Sequence, residues 1–323
     1  MKSRLDTFAA RPLKPGVPDP SVTPAPSLAA PSKGRIFLRR LTSSVILWAV
    51  VLGALFSGHQ VVSSVVFVAL IGFLAVTGLI EFYGMVEKRG LVCFRNLGIA
   101  AGILLIFATF AQSSGLFFKN LAPSKTNDFE TSILIVFVLG LCIRQFVSKT
   151  NTAGILAIST TLFGLMYVPW LLNFIQKIHF FPGVEGNHYI LYFILVTKFS
   201  DCGAYAVGSL IGRHKMIPRV SPGKTWEGFG GAIVVSTAAS VIYYKLAGSH
   251  LAGMTMLHAV ILGILLSVAA VVGDLIESIF KREAGLKDSG KLFPGIGGIL
   301  DLLDSLLFNA PLMYLYLRHV LTN

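Results

Sequence analysis

The chain has 323 residues, 54% of them hydrophobic and only 13% charged, with a net charge of +12 and a mean hydropathy of +0.75. Soluble domains carry roughly 25% charged residues, so this composition excludes a soluble globular domain and points to an all-α, polytopic membrane helix bundle. Cys93, Cys142 and Cys202 are the only cysteines and form no CxxC pair, which argues against a disulfide framework or a cysteine zinc site.

Residues 1–40 hold seven of the fourteen prolines and eight of the 27 lysines and arginines. They read as a disordered, basic, proline-rich tail, with no apolar run of the kind a signal peptide needs. A loose tether to anionic headgroups is the functional alternative for this tail. About 20 apolar residues cross a bilayer as a helix. Nine candidate spans follow: 41–57, 60–80, 97–112, 132–148, 153–174, 188–207, 229–246, 254–276 and 299–319. Residues 41–187 form an N-terminal group of membrane helices, and 188–323 a second group that carries the polar motifs.

The basic residues set the expected direction. The tail, loop 81–96, the turn near 149, loop 208–228 and loop 277–298 carry 21 of the 27 lysines and arginines. An N-terminus in the cytoplasm puts all five on one side, so the positive charge belongs to membrane orientation and no nucleic-acid partner is expected. The two loops richest in polar motifs, 208–228 and 277–298, then share the cytoplasmic face.

Three segments carry chemistry. At the end of the eighth span, Asp274, Ser278 and Lys281 fall on one helical stripe. A snorkelling helix end explains Lys281 and Arg282 but not Asp274, which follows an apolar run. In the second segment, Gly295, Gly297 and Gly298 allow close backbone approach, and Asp301 and Asp304 share the first turns of the ninth span. One carboxylate there suits the helix dipole. Three together, Asp274, Asp301 and Asp304, suit a divalent cation better. In the third segment, Lys198 and Asp201 are spaced to pair, and Ser221-Pro222-Gly223-Lys224-Thr225 offers Ser221, Lys224 and Thr225 to a phosphate. That stretch resembles a Walker A loop only superficially, because Pro218 stands where glycine is needed and a transmembrane helix is expected before it in place of a strand. The histidines other than His214 fall toward the opposite side and do not read as a metal cluster.

Taken together, Ser278, Lys281-Arg282, Lys287-Asp288, Pro294-Gly295-Ile296-Gly297-Gly298, Asp301, Asp304 and Ser305 resemble the signature of the phosphatidate cytidylyltransferase family. Asp201, Ala204-Tyr205, Gly208, Gly212 and SPGKTWEG extend the resemblance upstream, so that it covers about residues 190–310. Two positions depart from it: family members commonly have His where Ile296 stands and Arg where Leu302 stands. The resemblance implies that the chain makes CDP-diacylglycerol and pyrophosphate from CTP and phosphatidate at the cytoplasmic face of a bacterial-type inner membrane. It implies Mg²⁺ on Asp274, Asp301 and Asp304, with Lys281 also catalytic and a second cation or Lys198 on Asp201. Lys224, Lys281, Arg282 and Lys287 would neutralise phosphates, and Gly297 and Gly298 would let backbone approach the substrate. A homodimer is among the implied partners. A CTP-dependent transferase or kinase acting on another lipid is the alternative enzyme, and an ion-coupled secondary transporter the alternative outside enzymes.

Overall fold

The computed structural model describes residues 33–56, 60–115, 123–148, 153–290, 292 and 297–322. Most of the proline-rich tail, Lys291 and the Pro294-Gly295-Ile296 part of the glycine turn lie outside them. Helix α1 (Lys33–Phe56) begins before residue 40, so the last residues assigned to the tail are helical. The chain continues through α2 (Gln60–Lys88), α3 (Arg95–Ser113), α4 (Pro123–Val147) and α5 (Gly154–Leu165). Next come α6 (Leu171–His179), α7 (Gly186–Ile211), α8 (Trp226–Ala247), α9 (Met256–Glu283) and α10 (Ile299–Tyr316).

Among the described residues, eight helical stretches are long and apolar enough to cross a membrane, with the shorter apolar helix Val45–Phe56 beside them. Eight of the nine expected spans are thus borne out, the first being matched by the shorter apolar helix, and the chain is a polytopic membrane protein. Its outer surface is apolar: Phe146 is 91% and Ile155 86% exposed. A lipid solvent tolerates such exposure, and helices satisfy their own backbone groups there. The fifth span differs from a straight helix. Pro169 lies in a π-turn at Met166–Trp170 that joins α5 to α6, as expected where a proline removes a ladder hydrogen bond.

Two features fix the bundle around its polar end. First, α7 and α8 cross on glycines: a Cβ on Gly203 would lie 2.6 Å from the Gly231 carbonyl oxygen, and one on Gly231 would lie 2.4 Å from Val207. Small residues let helix backbones approach in a membrane, where apolar surface alone gives no drive to associate. Second, loop 212–225 is not irregular. It folds as an antiparallel hairpin, β1 (Lys215–Ile217) with β2 (Ser221–Thr225), and its turn includes Pro218.

A polar network sits inside the N-terminal half, toward the opposite end. Glu130 of α4 forms an ion pair with Lys177 of α6, both almost fully buried. Asn173 donates to Glu130 and to Thr109 of α3, each at 2.6 Å, and Gln176 donates to Asn173 at 2.7 Å. Lys177, which follows the fifth expected span in the sequence, is a partner inside the bundle.

Candidate active site

Helix α9 touches α10 closely at Gly273, where a Cβ would lie 2.5 Å from the Asp304 carbonyl oxygen. That contact brings the next residue, Asp274, beside Asp304. Asp274, Glu277 and Asp304 each offer a carboxylate oxygen, and these atoms lie within 4.8 Å of one another. Lys224 of β2 reaches down from the hairpin, its Nζ 2.8 Å from Asp274 Oδ2 and 3.1 Å from the Val271 carbonyl. Ser278 donates to Asp274 Oδ1 at 3.4 Å, and Ser305 Oγ to Asp304 Oδ1 at 3.0 Å.

Of these groups, Asp274, Asp304 and Lys224 line one cavity of about 590 Å³ with Lys198, Asp201, Lys215, Ser221, Thr225 and Asp301. Lys198 pairs with Asp201 at 3.4 Å, as the spacing predicts. The same Nζ lies 3.4 Å from the backbone carbonyl of Leu302. A cation therefore stands beside the segment between the two aspartates, although residue 302 itself is apolar. Thr225 lines the cavity, but its Oγ1 accepts from the Gly228 amide at 3.1 Å and caps α8, the usual use of Thr before a helix.

Asp301 takes a different place from Asp274 and Asp304. Its Oδ1 accepts from Lys281 at 2.6 Å; its Oδ2 accepts from the Gly298 amide at 2.8 Å, the Ser289 amide at 2.9 Å and Ser289 Oγ at 3.0 Å. Both oxygens are thus engaged in closing the start of α10. Lys281 is buried between Asp301 and Glu277 and pairs with both. Glu277, which the stripe of Asp274, Ser278 and Lys281 omits, is the residue sequence reasoning missed. Its spacing of three from Asp274 already puts it on the same side of the helix.

The three-carboxylate group fits a hard divalent cation. Such ions take oxygen ligands, and the fully buried Glu277 pairs with Lys281 through Oε2 while its Oε1 has no hydrogen-bond partner among the described residues.

The other expected residues are arranged around this core. Arg282 donates to the Val220 carbonyl at 3.1 Å and the Leu286 carbonyl at 3.2 Å, tying the two polar loops together outside the cavity. Lys287 is exposed on the loop after α9. Gly297 has a φ of 122°, which only glycine adopts readily. A Cβ on Gly298 would lie 2.4 Å from Glu81 Oε2, so its missing side chain makes room for a protein carboxylate.

At the opposite end the histidines form a group that the sequence does not suggest. His250 Nδ1 lies 2.8 Å and His188 Nε2 3.6 Å from Glu185 Oε2. The two rings stack in near-parallel planes, 4.3 Å apart, and Glu185, His188 and His250 each offer a ligand atom within 4.8 Å of the others, a clustering that the expectation of scattered histidines did not include. His214 is exposed and pairs with Glu227 at 2.6 Å.

The Cytidylyltransferase family model matches residues 38–320. The chain is 38% identical over 160 residues to the uncharacterized protein YnbB of Escherichia coli (strain K12), covering 49% of this chain and 51% of that protein. It is 34% identical over 185 residues to the phosphatidate cytidylyltransferase of Mycobacterium tuberculosis (strain ATCC 25618 / H37Rv), covering 55% of each. With the phosphatidate cytidylyltransferase of Staphylococcus haemolyticus (strain JCSC1435) it shares 34% identity over 221 residues, 68% of this chain and 78% of the relative. The chain thus spans about half the length of the first two relatives and more of the third.

Proposed function

The chain belongs to the cytidylyltransferase family, and on that premise we propose that it transfers the cytidylyl group of CTP to phosphatidate. An oxygen of the lipid phosphate bonds to the α-phosphorus of CTP. The bond from that phosphorus to the α–β bridging oxygen breaks, and pyrophosphate leaves with the electron pair. The products are CDP-diacylglycerol and pyrophosphate. A phosphate monoester has a second pKa of about 6, so the nucleophile is already largely dianionic at neutral pH and needs no strong base. What the reaction needs is positioning and neutralisation of two anions.

The observation that carries the proposal is the single cavity in which Lys198, Lys215 and Lys224 face Asp201, Asp274 and Asp304 at one end of an apolar bundle. Asp274, Glu277 and Asp304 would hold Mg²⁺, which when bound supplies charge neutralisation to the phosphate oxygens. Glu277 thereby takes the part that the family resemblance gives to Asp301. Lys224 and Lys215 bind nucleotide phosphates, and Lys198 orients the lipid phosphate. Asp301 and Lys281 act from behind, holding the start of α10 and the Glu277 carboxylate in place. Ser221 adds a hydroxyl to the cavity wall. The excess of lysine and arginine at this end supports a cytoplasmic active site, where CTP is available, in a bacterial-type inner membrane.

The test is pyrophosphate release by the purified protein with CTP, Mg²⁺ and a panel of lipid phosphates. Release that requires both CTP and phosphatidate supports the reading. Turnover with a different lipid acceptor but not phosphatidate would transfer the same chemistry to that acceptor. Light scattering in detergent decides whether the active species is a homodimer.

A further inference from the structure

The cluster of Glu185, His188 and His250 lies far from the polar cavity. His188 stands near the start of α7, about 20 Å along the helix from Asp201 at roughly 1.5 Å per residue. Glu185 and His188 belong to the first turn of that helix and the residue before it. His250 comes from the three-residue 3₁₀ turn Gly248–His250 that follows α8. Both histidines face the same carboxylate oxygen, Glu185 Oε2, with His250 Nδ1 at 2.8 Å and His188 Nε2 at 3.6 Å.

We propose that Glu185, His188 and His250 form a binding site for a transition-metal dication of the Zn²⁺ class, which ties the start of α7 to the end of α8. The donor set selects the metal class. Two imidazoles and a carboxylate suit Zn²⁺, Ni²⁺ or Cu²⁺, whereas Mg²⁺ and Ca²⁺ take oxygen ligands. The spacing also fits. Tetrahedral bonds of about 2.0–2.1 Å set ligand atoms about 3.3 Å apart, and the two separations from Glu185 Oε2 fall on either side of that value. An outer partner is in place as well. His188 Nδ1 lies 3.3 Å from the Tyr243 hydroxyl, which accepts an N–H there and leaves Nε2 as the lone-pair nitrogen that a metal requires. Three protein ligands leave a fourth position to water.

One rearrangement completes the site. A metal lies in the plane of each imidazole that binds it, and the two rings are stacked 9° from parallel. One ring must therefore turn out of the stack. His250 is the freer of the two, its side chain 51% exposed against 23% for His188. His188 is held by Tyr243 and by an edge contact with Phe56 at 5.4 Å. The torsion that turns a histidine ring is broad, so His250 swings its nitrogen toward the other two ligands without moving backbone.

The experiment titrates Zn²⁺ into the full chain, purified in detergent without a histidine tag and stripped with EDTA, with excess Mg²⁺ present to occupy sites made only of oxygen. Calorimetry is expected to show one Zn²⁺ per chain. His250→Ala and Glu185→Gln, both at exposed positions, are each expected to weaken binding by roughly a hundredfold, the upper end of what even an outer partner of a metal ligand contributes. Asp304→Asn is expected to bind Zn²⁺ as the wild type does. Co²⁺ gives a second reading: the visible absorption of a four-coordinate centre is expected in the wild type and should vanish in His188→Ala. A wild type that binds no Zn²⁺ overturns the inference. So does binding that survives both His250→Ala and His188→Ala, or binding that Asp304→Asn removes, which would put the metal in the polar cavity. None of these readings uses CTP turnover, so the site stands or falls independently of the reaction.

Discussion

Glu81 Oε1 accepts a hydrogen bond from the amide of Ile299 at 2.9 Å. Its other oxygen accepts from the Leu300 amide at 2.9 Å and shares the Ser289 hydroxyl, 2.9 Å away, with Asp301. A carboxylate from the second helix thereby caps the last, on amide groups that no helix can satisfy for itself, and the favourable sign of the dipole adds to the contact. The N-terminal half is consequently joined to the helix that carries Asp301 and Asp304.

Glu81→Ala strands these donors in a partly buried place, at a cost of about 1–3 kcal/mol. Glu81→Gln keeps one acceptor oxygen and is expected to lose less. Thermal unfolding in detergent measures the stability. Pyrophosphate release measures the accompanying loss of kcat, expected because the start of α10 positions Asp304. Full activity in Glu81→Ala would show that α10 holds its place without the cap.

Removing one carboxylate of the proposed Mg²⁺ site is expected to separate the roles of the carboxylates. Asp274→Asn, Glu277→Gln and Asp304→Asn should each reduce turnover by roughly a hundredfold, the scale of losing metal-based charge stabilisation, and should raise the Mg²⁺ concentration needed for half-maximal rate. Asp301→Asn should instead lower stability with little change in that Mg²⁺ midpoint, because its oxygens serve Lys281 and the α10 cap. A shift in the Asp301→Asn midpoint as large as that of Asp304→Asn would return Asp301 to the metal. Chelation of the wild type should abolish turnover and leave the helical fold in place, which circular dichroism reads.

Lys281 is shared between Glu277 and Asp301. Lys281→Ala leaves two buried carboxylates without their cation, at a cost of about 3–5 kcal/mol. Adding Glu277→Gln removes one of those stranded charges, so the double variant is expected to be less unstable than the two single effects sum to. Denaturation midpoints of the four proteins in the cycle measure the coupling. Additive losses would mean that the pair contributes no interaction of its own.

Glu130→Ala is expected to destabilise the bundle by about 3–5 kcal/mol, since it takes the carboxylate partner away from the buried Lys177. The network lies toward the end opposite the polar cavity. Turnover per folded molecule at low temperature should therefore match the wild type, while the unfolding temperature falls. A drop in turnover without a drop in stability would reveal coupling between the two ends.

The sequence by itself determined the bundle, its spans and the end at which its polar groups gather. Apolar runs near 20 residues and the distribution of lysine and arginine are local quantities, and local quantities survive without coordinates. The stripe of Asp274, Ser278 and Lys281 was legible for the same reason, since helical periodicity fixes which residues share a face. Which carboxylate serves which purpose was not legible. Asp301 and Asp304 are three residues apart on one helix, yet one closes a helix end while the other faces Asp274 and Glu277. That division depends on where Gly273 lets α9 touch α10, and on Ser289 and Lys281 reaching Asp301 first. Glu81 was hidden for a similar reason: more than two hundred residues of chain separate it from Ile299, and nothing in an apolar second span names its partner. The meeting of Glu185 and His188 with His250 is likewise tertiary, because the pairing of α7 with α8 decides which histidine of the far end comes to Glu185.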